Sequence, residues 1–519
     1  MTRTLRALTA LCLASLALIA SGCGSGSGSA GDPASVVPDS SFLYAEATID
    51  PQGSQEEAVR SILADLPGTG APQDRLEDLI RDAVRKDKST KVDWDKDIKP
   101  WLGDRVGAFV AGNAASFAQG DIPGAFLVAT TDDGAARAAL EKDKDPGAAH
   151  KRYRDVQYIV ETDHGDVTAE GVVDGFLVSG SDAGMRAVID ASKGSTLADS
   201  DRFKKAVDEV PDEHVGFAYV DLGGVLQLAS QASGNQLPAG AFLGRLLAGR
   251  PLVITARAEK QALIFEGRSI PTGGLVKSSG DPASLLEKLP ASSWAALALP
   301  GFGDGIRAGV AAVAGALGGQ QGLAEQLRAA TGLDLERDLL SWIGDVGIFV
   351  DGDSKDTVGG GLLVKSKDPA ASKQALTKIA AAVAKNDPTT RVAAARVPGA
   401  FGYQLQPKDE PRPIFMVQRA DEVALTYGES EARAALSGGG LSGSPDFKRA
   451  AEGLGEGYAT AFYLAAPPVL RLAESLGASG KDYEAAKPYL TILDYLVAGS
   501  AGDGDQKSAR LRIGFKPHE

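Results

Sequence analysis

The chain has 519 residues, 44% hydrophobic and 24% charged, with a formal net charge of −14. That acidic balance argues against nucleic acid, and against electrostatic adsorption to anionic lipid. With two cysteines and four histidines, a disulfide framework or a thiolate or imidazole metal site is not expected, and no cofactor is called for.

At the N-terminus, Arg3 and Arg6 precede an apolar run over 7–20, shorter than the roughly 20 residues of a membrane span. The run ends in Ala20-Ser21-Gly22-Cys23. Small residues before a cysteine, at this distance from basic and apolar segments, resemble the lipobox of bacterial lipoproteins. The resemblance implies cleavage between Gly22 and Cys23, with lipid on the Cys23 sulfur and amine. Ala20 stands where leucine is commoner. Cys12 leaves with the signal, so the mature chain keeps no free thiol. The expected anatomy is a signal peptide over 1–22 and a flexible tether over 23–36, whose Gly/Ser-rich part reaches about 20 Å r.m.s.. The expected location is the extracytoplasmic face of the cell membrane, with the membrane as partner through the lipid on Cys23.

The remaining chain reads as two copies of one unit. Gly31-Asp32-Pro33-Ala34-Ser35 opens the first and Gly280-Asp281-Pro282-Ala283-Ser284 the second. Pro38, Ser40, Ser41 and Phe42 match Pro290, Ser292, Ser293 and Trp294; Phe203, Lys204 and Tyr219 match Phe447, Lys448 and Tyr463. The period is too long for a solenoid repeat of roughly 20–50 residues and predicts a duplicated domain.

In chain order, the alternation over 42–49 predicts a strand, matched by 294–299. Helices are expected over 55–65 and 74–85, with 306–317 and 323–330 in their place in the second copy. Strands follow over 106–110 and 125–129, mirrored at 346–350 and 361–364, and then a helix over 134–142 or 369–383. Short strands over 156–160, 167–173 and 176–179 match 403–405, 414–418 and 423–426. A helix begins after Gly180 and after Gly428. Strands over 215–220 and 459–464 follow, with a closing hairpin at 252–259 and 262–268 in the first copy. Strands in adjacent pairs, interrupted by single helices, predict α+β. The expected fold is two tandem duplicated domains over 37–270 and 285–517, joined by a linker at 271–284. Each is expected to be a mainly antiparallel sheet with helices packed on one face.

One motif stands in both copies: Asp93, Asp97, Trp101, Gly103 and Asp104 match Asp334, Asp338, Trp342, Gly344 and Asp345. Trp94, Ile98, Trp101 and Leu102 share one helical face, as do Leu335, Leu339, Trp342 and Ile343. Asp93 and Asp334 are expected to cap that helix. Gly103 and Gly344 are expected to end it in the left-handed conformation. Pro100 predicts a shorter or bent first helix. The structural reading plugs an indole into the core. The functional reading makes Asp97 with Asp104, and Asp338 with Asp345, carboxylate pairs for acid/base work or cation binding, which requires convergence on a cleft.

The sequences Trp101-Leu-Gly-Asp104 and Trp342-Ile-Gly-Asp345, each before a Val-Gly-x-Phe-Val strand, resemble exported bacterial proteins grouped as domain of unknown function 3352. The similarity extends over nearly the whole mature chain. It implies a surface protein of Gram-positive type and brings no activity or functional residues with it.

Other chemistry is weak. His150, His164, His214 and His518 have no helical or strand spacing to one another. The segment 351–356 lacks the glycine and the final acid of a calcium loop. Ser430 follows Gly428 as in a nucleophile elbow, but the second glycine is missing. Lys481 and Gly301 miss phosphate-loop and dinucleotide spacing. The expected function is a non-catalytic binding or scaffold module of the envelope. The alternative is a carrier of a lipid or another apolar ligand, lined by 306–330 and 490–497; a hydrolase-type enzyme ranks third.

Overall fold

The computed structural model describes residues 31–49, 51–64, 91–112, 121–163, 166–208, 210–221, 251–268, 281–307, 331–438, 440–502 and 508–517, with residues 66, 81, 116, 325, 328 and 329 between them. The signal segment, Gly22 and Cys23 lie outside these, as does most of each helix expected over 74–85, 306–317 and 323–330. By its internal contacts the chain forms two compact units, Met1–Pro271 with Lys516–Glu519, and Thr272–Phe515.

In the first unit the described strands are β1 (Ser41–Thr48), β2 (Leu102–Ala111), β3 (Gly124–Thr130), β4 (Ala149–Tyr153), β5 (Val156–Asp163), β6 (Asp166–Val173), β7 (Phe176–Gly180), β8 (Gly216–Val220), β9 (Leu252–Glu259) and β10 (Ala262–Arg268). They pair antiparallel in the order β4-β5-β6-β7-β3-β2-β1-β8-β9-β10. The second unit holds β11 (Ala295–Leu299), β12 (Ile343–Asp351), β13 (Gly359–Ser366), β14 (Arg391–Ala394), β15 (Phe401–Gln406), β16 (Ile414–Arg419), β17 (Glu422–Tyr427), β18 (Ala459–Ala465), β19 (Leu493–Ala501) and β20 (Ser508–Phe515). Their order is β14-β15-β16-β17-β13-β12-β11-β18-β19-β20, the same path through ten antiparallel strands.

Helices cover both faces of each sheet, correcting the expectation of one. Successive strand residues point to opposite faces. Leu127 and Val178 join one core with Met185, Val188 and Ile189 of the helix Asp182–Ala191. Their neighbours Val128 and Leu177 join another, with Ala136, Ala139 and Leu140 of the helix Asp133–Asp143. In the second unit Phe415 and Val417 pack with Ala432, Ala435 and Leu436 of the helix Glu429–Leu436. Met416, between them, packs with Ala375, Leu376 and Ala380 of the helix Pro369–Asn386. The cause is unbroken apolar runs such as 125–129, which leave neither face polar.

Both units open on the same capped turn. The Asp32 carboxylate accepts from the Ala34 backbone N–H at 3.0 Å, and Asp281 accepts from Ala283 at 3.0 Å. Pro33–Val36 is a 3-10 turn whose Ala34 and Val36 are buried, so the tether expected to reach residue 36 stops before it. Pro282–Glu287 is helical, so the expected linker likewise stops before its C-terminal end at 284. Proline supplies the fixed φ of a helical start, and aspartate the acceptor for the free N–H groups.

The glycines of the shared motif have a different role from the one expected. Gly103 and Gly344 lie in β2 and β12, and neither has a positive φ. A Cβ on Gly103 would stand 2.8 Å from the Ala129 carbonyl oxygen, and one on Gly344 2.6 Å from that of Lys365. They are required by strand packing, not by helix termination. Alanine at either position is expected to destabilise its unit by about 1–3 kcal/mol, read as a lower urea midpoint with an unchanged m-value.

Candidate functional site

The shared motif folds as a widened turn, not as a regular α-helix. Trp94–Ile98 and Leu335–Leu340 are π-helical, and Lys99–Trp101 continues the first as a 3-10 turn. The π turn forms in the second unit without a proline, so Pro100 is not its cause. Asp93 caps the turn through Lys96 N–H at 3.1 Å, and the Asp97 carboxylate accepts from Asp93 N–H at 2.6 Å. Asp334 caps through Arg337 N–H at 2.9 Å, and Asp338 accepts from Asp334 N–H at 2.9 Å. The indole N–H groups of Trp101 and Trp342 donate to the Asp97 and Asp338 carbonyls. Each turn is fastened to the next helix: Lys142 reaches Asp97 at 2.5 Å, and Lys378 reaches Asp338 at 2.6 Å.

Both carboxylates are held below the ordinary aspartate range. For Asp97 the first cause is the Asp93 N–H, followed by Lys142. For Asp338 it is the Arg337 side chain, and then Lys378 and the Asp334 N–H. A general base works best with a pKa near the operating pH, so these shifts run the wrong way for acid/base chemistry. The third aspartate of each motif makes separate contacts. Asp345 accepts from Gly301 N–H at 2.8 Å. The Asp104 carbonyl accepts from Thr48 Oγ1 at 3.1 Å and Ile49 N–H at 2.8 Å. The structure therefore brings Asp93 to Asp97 and Asp334 to Asp338, as a lock around a buried tryptophan.

Each unit also has a buried ion pair that the other lacks. On β1, Tyr44 donates to Glu46 Oε2 at 2.6 Å, and Arg105 pairs with Glu46 Oε1. Tyr44 also packs edge-on against Phe203 and Phe217. Burial pushes Glu46 above the usual carboxylate range, although Arg105 opposes the shift. The second unit has Ala296 and Ala298 at the same register opposite Phe349 and Gly347. There the private pair is Glu431 with Arg412, at 2.6 Å. Arg412 also donates to the carbonyls of Val358 at 2.7 Å and Tyr427 at 3.2 Å. Ser430 donates to Glu431 Oε2 at 2.8 Å, so its hydroxyl is engaged by the same carboxylate that Arg412 holds.

Neither pair was singled out from sequence. Glu46 left a trace, a charge at an inward position of an alternating strand. Arg412 lies among prolines and charges and left none. His150 meets Glu141 at 2.7 Å on the surface, and His214 Nδ1 meets the Pro211 carbonyl at 2.7 Å. His164 and His518 lie outside the described residues. No group of three or more His, Cys, Asp or Glu able to hold a metal occurs among the described residues.

The two acids give opposite pH signatures. Asp338 is depressed, so its stabilisation is present above the unfolded aspartate pKa of about 3.9 and is lost as pH falls toward the folded value. Glu46 is raised, so its stabilisation is present below about 4.3 and is lost as pH rises through the folded value. Urea titrations from pH 3 to 8 should show Asp338→Asn losing most relative to wild type above pH 4. Glu46→Gln should gain on wild type as pH rises.

A family model described as "Protein of unknown function (DUF3352)" matches residues 4–394, taking in both copies of the tryptophan motif. No curated protein matches the chain. Crystal forms I and III of TP0453 are similar at 12% identity, over 46% of this chain and 79% and 80% of theirs, with TM-scores of 0.22 and 0.23.

Proposed function

Because this chain belongs to the family described as Protein of unknown function (DUF3352), which brings no activity with it, we propose a role from its own residues. It is a lipid-anchored protein of the extracytoplasmic membrane face, built by tandem duplication. It acts as a non-catalytic binding or scaffold module of the envelope. One observation carries the reading: the acids that the two units share at Asp97 and Asp338 are each consumed by a backbone N–H and a lysine. Shared architecture with no shared chemistry fits a module that presents surfaces.

Duplication is supported by the common strand order and the repeated Asp-Pro-Ala-Ser turn. Phe203 meets Tyr219 edge-on at 5.3 Å, and Phe447 meets Tyr463 at 5.3 Å. The anchor rests on Ala20-Ser21-Gly22-Cys23 behind its apolar run.

An apolar-ligand carrier is the second reading. In the helices Ala466–Ser475 and Lys481–Leu490, Val469, Leu470, Leu472, Tyr489 and Leu490 are only half-buried. Such faces are available to an acyl chain.

Palmitate labelling and detergent partitioning test the anchor. The wild type should carry label and enter the detergent phase; Cys23→Ala should lose label, and equal labelling of both would sink the anchor. Native mass spectrometry of protein extracted from its own membranes separates the two roles. A module should appear without ligand, whereas a stoichiometric lipid would favour the carrier.

A further inference from the structure

We propose that Asp351, Glu431 and Arg412 form a proton-operated latch on the turn between β12 and β13, engaged in mild acid and eased toward neutrality. The proposal is independent of the membrane anchor. Asp351 is the last residue of β12 and is 8% exposed. Its Oδ2 accepts from the Ser292 hydroxyl at 3.1 Å, while Oδ1 has no hydrogen-bond partner among the described residues. Glu431, 4% exposed, already engages the facing guanidinium, that of Arg412. Two acids thus stand against one base, and a single proton from solvent removes the surplus. An unpaired buried carboxylate is costly, so burial favours the protonated form of Asp351 more than it would be favoured in an exposed aspartate.

The first limb of the turn is held beside the cluster, and the second by the cluster itself. On the first limb, Trp294 Nε1 donates to the Gly352 carbonyl at 2.5 Å, beside Asp351. On the second, Arg412 Nη1 donates to the carbonyls of Val358 at 2.7 Å and Thr357 at 3.4 Å. The pair is closed in by backbone. A Cβ on Gly359 would lie 2.5 Å from Glu431 Oε1, and one on Gly428 2.1 Å from Arg412 Nη2. Of the turn's other charges, Lys355 and Asp356 are exposed. Asp353 pairs with Arg471 at 2.7 Å, and Glu410 accepts from the Tyr427 hydroxyl at 3.0 Å on the exposed side. Burial and then Glu431 push Asp351 above the usual carboxylate range, with Ser292 and Arg412 opposing. Because the folded value is raised, the stabilisation is complete below the unfolded pKa and is lost as pH rises through the folded value. The first unit has Ala111 two residues beyond Phe109, where Asp351 lies two beyond Phe349, so the latch is private to the second unit.

Hydrogen exchange of the 352–358 amides in the full chain, corrected for intrinsic rates between pH 4 and 8, tests the latch. Protection should fall with rising pH, by about tenfold for each unit by which the Asp351 pKa is raised. Asp351→Asn keeps the acceptor for Ser292 and should flatten the profile. Glu431→Gln should move the midpoint to lower pH, and this decides the matter if the first variant does not fold. A flat wild-type profile overturns the latch, as does an unchanged slope in Asp351→Asn or an unmoved midpoint in Glu431→Gln.

Discussion

Each unit is governed by one constraint: an antiparallel sheet buried on both faces. A charge placed on such a sheet cannot turn to water, and leaving it unpaired inside costs several kcal/mol. Glu46, Glu431 and Asp338 accordingly arrive with company, while Asp351 keeps one oxygen without a partner among the described residues. Glu46 brings Tyr44 and Arg105, Glu431 brings Arg412 and Ser430, and Asp338 brings Arg337 and Lys378. The widened turn around each tryptophan answers the same constraint, since its indole N–H finds a carbonyl inside its own loop.

The two units divide their polar groups into a shared set and private ones. The shared set fixes backbone: capping aspartates, close-contact glycines and a turn-opening proline. On the first unit's sheet, Tyr44 and Glu46 sit at the same registers as Ala296 and Ala298 of the second. Replacing Ala296 and Ala298 by Tyr44 and Glu46 changes the chemistry of a core without changing the path of its strands. A common frame can thus hold different buried electrostatics in its two halves.

Much of the strand layout was legible, because apolar runs and turn residues mark it directly. β4 was missed because Ala149–Tyr153 carries His150, Lys151 and Arg152 on an exposed edge and has no apolar alternation. The one-faced sheet was misjudged although 125–129 and 176–178 were unbroken apolar runs, the signature of burial on both sides. Gly103 and Gly344 were placed correctly and explained wrongly. A glycine after a helical turn suits a left-handed cap, and only the neighbouring strand reveals that a methyl group has no room. The clusters at Glu46 and Glu431 depend on partners 59 and 19 residues away, a separation that no local pattern encodes.

The capped turn at Asp32 also bears on how the first unit meets mechanical load. The chain enters at Asp32 and within five residues buries Ala34, Val36 and Val37. It then bridges Pro38 to Thr196, with the Leu197 N–H donating to the Val37 carbonyl at 2.7 Å. Tension applied ahead of Asp32 is therefore delivered to interlocked core side chains before it reaches β1. The entry acts as an anchorage that spreads a pull over the fold, so the sheet is not peeled strand by strand.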